Sequence, residues 1–130
     1  MDKPPREDLP SELRAFLYSC IDSIEQLDML MLLRRSDRPK TTREVAAALT
    51  LSDSLTRAQL DMLTARGLLD ARPGAEVTYR VEPKTADLAR YVVLLEEAYA
   101  SSRSAVVRFI ATRSRRTKSF SDAFKLRDPE

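Results

Sequence analysis

The chain contains two glycines, Gly67 and Gly74, and their positions constrain the fold more than any other feature. A glycine just past a helical segment is typical of a helix that ends in the left-handed conformation. The apolar residues before Gly67 recur at steps of three and four, as on one face of a helix, and they are Leu55, Ala58, Met62 and Ala65, with Leu63 beside them. Gly74 follows Pro73, and Pro-Gly favours a type II turn. The sequence therefore predicts a helix that closes at Gly67 and a tight turn at Gly74.

Two short strands are predicted on either side of this turn, over residues 68–72 and 77–81. In the second segment Val77, Tyr79 and Val81 alternate with polar residues, which is the period of a strand with one buried face. The two strands and the turn predict a tight β-hairpin.

Further helices are predicted before Gly67. The first follows Pro10, with Ser11 as its candidate cap, and the second begins near Ser23, which has Gln26 three residues on. Whether these are one bent helix or two stays open. Thr41 and Glu44 have the spacing of a capping box and predict a helix over 42–49, which a short turn connects to a helix over 53–66.

The segment from Thr85 to about Thr112 has no proline or glycine and predicts one long helix. Its apolar positions form a seam with steps of mostly three and four, and they are Leu88, Val92, Leu95, Tyr99, Val106 and Phe109. A body of about 60 residues is small for burying a helix of about 28 residues, so the seam is predicted to form a homodimer. The alternative is that the seam packs on its own domain.

Four regions are therefore expected along the chain. They are a flexible N-terminal arm (1–10), a folded domain (11–83), the long C-terminal helix (84–112) and a tail with a basic run (113–130). In the tail, Phe120 and Phe124 lie four residues apart and form a small apolar face. This face is expected to dock on the protein's own surface or in the groove of a partner protein.

Composition excludes several classes of function. The sequence has no histidine and a single cysteine, Cys20, so it lacks the commonest general base and the usual ligands of a transition metal. Two glycines leave no glycine-rich loop for phosphate. We therefore predict no catalytic residues, no metal and no cofactor. Cys20 is expected to be a small buried hydrophobe in a reducing cytoplasm, and no apolar run approaches the roughly 18 residues that a membrane helix needs.

The order of short helix, turn, second helix and hairpin is that of a winged helix-turn-helix. The predicted fold class is mainly α with a small β-hairpin, a winged helix-turn-helix with a long C-terminal helix. Residues 21–83 resemble MarR-like winged-helix regulators. The ending Ser119-Phe120-Ser121-Asp122-Ala123-Phe124 resembles the end of a group of small, uncharacterised bacterial winged-helix proteins.

The resemblance implies a dimeric transcriptional regulator that binds double-stranded DNA with helix 53–66 in the major groove. Its base contacts would come from Ser52, Ser54, Thr56, Arg57 and Gln59. Its phosphate contacts would come from Thr41, Thr42 and Arg43, and Arg72 and Arg80 on the hairpin would reach along the backbone or into a minor groove.

The distribution of charge along the chain leaves a second hypothesis about function open. Residues 21–83 hold nine Lys and Arg against ten Asp and Glu, whereas residues 101–130 hold eight basic residues against three acidic ones. Neutralisation of phosphates supplies most non-specific affinity for DNA. A near-neutral domain with a basic tail is therefore also compatible with a protein-interaction module built on the same scaffold.

Overall fold

The computed structural model describes residues 9–112, which form a mainly helical domain with one small sheet. The helices are α1 (Ser11–Cys20), α2 (Ile24–Arg35), α3 (Thr42–Leu49), α4 (Asp53–Ala65), α5 (Ala86–Ser101) and α6 (residues 103–112). The strands are β1 (Lys40–Thr41), β2 (Leu69–Arg72) and β3 (Thr78–Val81). The first two helices are separate, which resolves the question that the sequence left open.

The sheet is antiparallel with the order β1-β3-β2. β2 and β3 form the predicted hairpin, in which Asp70 faces Arg80 and Arg72 faces Thr78. β1 was not predicted, because two residues carry no alternation pattern. It forms where Lys40 and Thr41 reach the other edge of β3, so its existence depends on tertiary position.

The two glycines take different conformations. Gly67 has a φ of +87°, which confirms the predicted left-handed end of α4. Gly74 is not among the positive-φ residues of the described chain, so the prediction of a type II turn is wrong. Since Arg72 faces Thr78, five residues, 73–77, connect the two strands, and this longer loop does not need the left-handed residue that a tight turn demands. We call residues 73–77 the wing loop.

The helix starts follow the predicted caps in part. The Ser23 hydroxyl accepts a hydrogen bond from the Gln26 amide. The Gln26 side chain, however, accepts from the Asp22 amide rather than that of Ser23, so this cap is not a reciprocal box. α1 begins at Ser11 itself, with Pro10 in the capping position and no side-chain cap.

Leu9 belongs to the core, with only 6% of its surface exposed. The Arg14 guanidinium donates a 2.6 Å hydrogen bond to the Leu9 carbonyl. The expectation of a flexible arm over residues 1–10 is therefore wrong for the end of that segment. Residues 1–8 lie outside the described part of the chain.

The predicted long C-terminal helix is interrupted at Ser102, which has non-helical torsions (φ −145°, ψ 51°). The carbonyl of Ser102 accepts from the amides of Ala105 and Val106 and so begins α6. The sequence around the break, Ser101-Ser102-Arg103-Ser104, is rich in serine, whose hydroxyl competes for backbone hydrogen bonds. The interruption allows Ala105, Val106 and Ile110 to pack into the domain's own core.

The predicted dimer seam is largely used within the monomer. Val92, Leu95 and Val106 have no exposed surface, and Leu88, Tyr99 and Phe109 are half-buried against the same core. Half of the predicted seam, Val92, Leu95 and Val106, is therefore occupied by the domain itself. This is the alternative packing that the sequence analysis left open. Phe120, Phe124 and the basic run 113–118 lie outside the described residues.

Cys20 is partly exposed at the end of α1, rather than fully buried as expected. Among the described residues, no helix combines the length and the apolar character needed to cross a membrane.

Candidate nucleic-acid interface

An open groove lies between the first turns of α3 and α4 and the wing loop. α3 contributes Thr42 and Arg43, α4 contributes Asp53, Ser54, Arg57 and Ala58, and the wing loop contributes residues 74–77. Two helices thus present their N-terminal ends, where unpaired amides and the helix dipole favour anions. We call this region the α4–wing groove.

Hydrogen bonds within the first turns fix the two helix starts that border the groove. The Thr41 hydroxyl accepts from the Glu44 amide (3.1 Å), and the Glu44 carboxylate accepts from the Thr41 amide (2.9 Å), as predicted. This backbone bond, together with nearby Arg38 and Lys40, lowers the pKa of Glu44. Ser52 caps α4 by accepting from the Leu55 amide. Each hydroxyl keeps its own proton and can still donate it to a phosphate.

α4 is rotated relative to the sequence prediction. The stripe predicted to be buried, Leu55, Ala58, Met62 and Ala65, is exposed, although Leu63 is buried as expected. The buried face consists of Thr56, Leu60 and Leu63. Thr56 is 0% exposed, and its hydroxyl has no partner among the described residues, so the prediction that it contacts bases is wrong. Leu60 and Leu63, three residues apart, were the signal in the sequence for this alternative phase.

Gln59 is also turned away from the groove. Its side-chain oxygen accepts a 2.6 Å hydrogen bond from the buried amide of Gln26 on α2. The Gln26 oxygen in turn accepts from Arg66, whose guanidinium also binds the Cys20 carbonyl and the Asp22 carboxylate. The Gln59 side chain therefore belongs to a polar network that connects α4 to the segment between α1 and α2. Contrary to the prediction, it does not face the groove.

Arg57 lies on the wing side of α4 and pairs with Asp61 one turn later (Nε–Oδ2 3.4 Å). The other Asp61 oxygen accepts a 2.7 Å hydrogen bond from the buried Tyr79 hydroxyl of β3. Burial is the main cause that raises the pKa of Tyr79, and the Asp61 carboxylate raises it further. Asp61 thus connects the buried face of the sheet to the candidate base-reading arginine.

The other candidate arginines are paired as well. Arg43 reaches the wing loop and binds Glu76 at 3.0 Å. On the hairpin, Arg72 binds Asp70 at 2.9 Å and Arg80 binds Glu82 at 2.8 Å. The Arg72 hydrogen bond lowers the pKa of Asp70, with Lys84 contributing. Because most of these groups are well exposed, each pair contributes little to stability and exchanges readily with other ions.

The structure brings together part of the predicted site. Thr42, Arg43, Ser54 and Arg57 line the groove, and Thr41 lies in the adjoining hollow with Glu76 and Thr78. Ser52 is exposed at the start of α4. Arg72 and Arg80 lie on the hairpin and do not line the groove. Ala58 and Ala75 line it but were missed, because an alanine gives no chemical signal in a sequence.

No protein-family model matches the chain, and no curated protein matches it in sequence. Solved structures do match. The winged helix-turn-helix DNA-binding domain of Mb0332 from Mycobacterium bovis, which is homodimeric and belongs to a possible ArsR-family transcriptional regulator, has a TM-score of 0.54. Its sequence identity is 21%, over 78% of this chain and 92% of that chain.

Two further regulators have the same arrangement. HlyU from Vibrio vulnificus CMCP6 has a TM-score of 0.53 and 26% identity, over 68% of this chain and 90% of that one. The transcriptional regulator Tm0710 from Thermotoga maritima has a TM-score of 0.51 and 16% identity, over 92% of this chain and 88% of that one.

The chain has the winged helix-turn-helix fold. In the terms of this fold, α3 and α4 are the helix-turn-helix, and β2, β3 and the wing loop are the wing. The predicted fold class is confirmed, although the C-terminal helix is divided at Ser102.

Proposed function

We propose that this winged-helix protein is a bacterial, cytoplasmic transcriptional regulator that binds double-stranded DNA as a homodimer and acts without enzymatic chemistry. The observation that carries the proposal is the α4–wing groove, where two helix N-termini and a wing loop face the same side. The likeness to transcriptional regulators, one of them a possible ArsR-family member, supports it. The MarR-like relationship drawn from residues 21–83 and the ending at 119–124 is part of this proposal.

The roles of the groove residues follow from their positions. Thr41, Thr42 and Arg43, at the start of α3, would hold phosphates through hydroxyls, amides and charge. Ser54 and Arg57, on the first turns of α4, would approach base edges in the major groove. Ser52 would contact the backbone at the entry of α4, and Arg72 and Arg80 would add positive charge along the wing.

A dimer of this chain would use a different surface from the predicted seam. The outward face of α5 carries a row of small exposed residues, Ala86, Ala89, Val93 and Ala100, and Val93 is 41% exposed. On the adjoining helix α1, Glu12 forms an ion pair with Arg90 of α5. Small side chains allow two helices to approach closely, so this face suits a second copy of the chain.

The test is binding of the full chain to a labelled random-sequence duplex library at about 50 mM salt, followed by selection of the tightest sequences. We expect retention that falls steeply with salt. Arg57→Ala should reduce the preference for selected over random duplex by about tenfold or more, the range of one bidentate base contact. Arg35→Ala, which removes the same charge on α2, is the matched control.

Failure to retain any duplex at this salt would contradict the proposal. It would favour the alternative in which the scaffold and its tail bind a protein. Pull-down with and without residues 113–130 then measures that alternative directly, since loss of a partner on truncation assigns the binding to the tail.

A further inference from the structure

The outward face of α4 is unusually poor in hydrogen-bond donors. Thr56 is buried, Gln59 binds Gln26, and Arg57 lies to one side, paired with Asp61. Apart from the acids Asp53 and Asp61, the remaining exposed residues are small or apolar, and they are Ser54, Leu55, Ala58, Met62 and Ala65. Of these, Ser54 and Ala58 line the α4–wing groove itself.

Only one base presents an apolar group in the major groove. Guanine, cytosine and adenine display hydrogen-bonding groups there, whereas thymine also displays its C5-methyl group. A helix face built from alanine with flanking leucine and methionine is chemically complementary to that methyl. The hydrogen-bonding side chains on or beside this face are those of Ser54, Arg57 and Asp61, and Asp61 is already paired with Arg57 and Tyr79.

We propose that α4 recognises thymine methyl groups in the major groove, with Ala58 as the central contact and Leu55 and Met62 beside it. This inference rests on the proposed function and deepens it by naming the chemical class of the preferred sites, which are duplexes with thymines at fixed positions. Arg57 and Ser54 then supply the polar contacts that fix the register.

The observations favour DNA over a protein as the occupant of this face. Protein interfaces depend on large anchors such as Trp and Tyr, and the outward face of α4 has no aromatic residue. Leu55 and Met62 are 40% and 37% exposed, so the apolar surface is shallow. The groove is also bordered by the guanidinium groups of Arg43 and Arg57, whose side chains are 72% and 59% exposed.

Those two arginines can bind a phosphate backbone, while the acids Asp53 and Glu76 line the same groove and compete with it. Their present partners, Glu76 and Asp61, form exposed ion pairs of small free energy. A phosphate can therefore replace the carboxylate with little cost to the fold. An apolar centre between exchangeable cations matches the layout of a major groove, in which the base edges lie between two sugar-phosphate backbones.

The experiment uses the full chain and the tightest duplex from selection. Each thymine of that site is replaced in turn by deoxyuridine, which lacks only the C5-methyl, and affinities are measured at fixed salt. We expect at least one position at which the replacement weakens binding about fourfold, the effect of burying one methyl group. Ala58→Ser should bring this thymine-to-uracil affinity ratio to within about twofold of one, while Ala48→Ser, at an exposed position of α3 that does not line the groove, should leave it unchanged.

The outcomes separate the two hypotheses. If every deoxyuridine duplex binds like its thymine parent while Arg57→Ala still reduces sequence preference, the methyl recognition is overturned and the proposed function stands. If no duplex is retained by any variant, both are overturned. A ratio that survives Ala58→Ser overturns the assignment of the contact to α4.

Discussion

Arg43 and Arg57 have the exposure of DNA-binding residues but the neighbours of structural ones. Each forms an ion pair with a carboxylate that lies in or beside the same groove. These acids lower the positive potential of the groove and compete with phosphate for the guanidinium groups. Glu76 is the clearest example, because it reaches Arg43 from the wing loop. Non-specific binding is therefore expected to be weak.

Replacement of Glu76 by glutamine tests this competition. Glu76→Gln keeps the size of the side chain and removes its charge, so Arg43 becomes available to phosphate. We expect affinity for random duplex to rise several-fold and its salt dependence to steepen, since one more cation is engaged. Filter binding across a salt series measures both, with Glu25→Gln at an exposed position of α2 as the control. An unchanged salt slope would contradict the idea.

Thr56 gives a second prediction. Its hydroxyl is buried without a partner among the described residues, and a buried unpaired hydroxyl costs free energy. Thr56→Val keeps the shape and removes the hydroxyl, so the free energy of unfolding should rise by up to about 1 kcal/mol. Urea denaturation measures this change, and duplex affinity should stay constant because Thr56 does not reach the surface.

Thr64 on the same helix is the matched control, since its hydroxyl donates to the Leu60 carbonyl at 2.8 Å. Thr64→Val should therefore show no such gain. Loss of duplex affinity in Thr56→Val would mean that Thr56 contacts DNA after all.

At the scale of elements, the reciprocal cap of α3 determines how the helix-turn-helix begins. Two hydrogen bonds between Thr41 and Glu44 fix the first turn, and Thr41 also pairs with β3. One residue thus joins the helix start to the edge of the wing. α3 is short, at eight residues, so it depends on this cap more than a long helix would.

Thr41→Ala should reduce the free energy of unfolding by about 1 kcal/mol, the usual cost of losing an N-cap. The pKa of Glu44 is lowered in the folded protein. The contribution of the Glu44 carboxylate to the free energy of unfolding is therefore present at neutral pH. It is lost as the pH falls from the pKa of this group in the unfolded chain through its pKa in the folded protein. Denaturation at pH 7 and at acid pH measures both effects, with Ser104→Ala as the control. Equal loss in both variants would indicate that the cap is unimportant.

At the scale of the whole molecule, some apolar residues of the C-terminal segment pack in the core of the monomer, and others stay exposed for assembly. The break at Ser102 directs α6 back to the core, and the apolar seam of α5 is consumed within the monomer. The exposed residues of α5 include the row of alanines with Val93 and the charged residues Asp87, Arg90 and Glu97. The proposed homodimer would use this row.

Val93→Asp places a charge in the middle of that row and should shift the dimer towards monomer, because a buried unpaired carboxylate is costly. Sedimentation equilibrium of the full chain measures the shift. Ala75→Asp adds the same charge on the wing loop and should leave the oligomeric state unchanged. A dimer of unaltered affinity in Val93→Asp would place the interface elsewhere.

The sequence by itself determined the features that depend on near neighbours. The cap at Thr41 and Glu44, the left-handed end at Gly67 and the bounds of α3 follow from hydrogen bonds and torsions within a few residues. The paired strands of the wing also followed from local alternation. Because these elements have a characteristic order, the winged helix-turn-helix fold could be predicted.

Tertiary structure alone decided which face of each helix is buried. Both phases of α4 are amphipathic in sequence, and the contacts with α2 and β2 select the one that buries Leu60 and Leu63 while exposing Ala58. The same holds for the seam of α5, for β1 and for the pairing of Arg43 with Glu76 across 33 residues of chain. Burial and ion pairing depend on what lies opposite in space, and that information is absent from any local stretch of sequence.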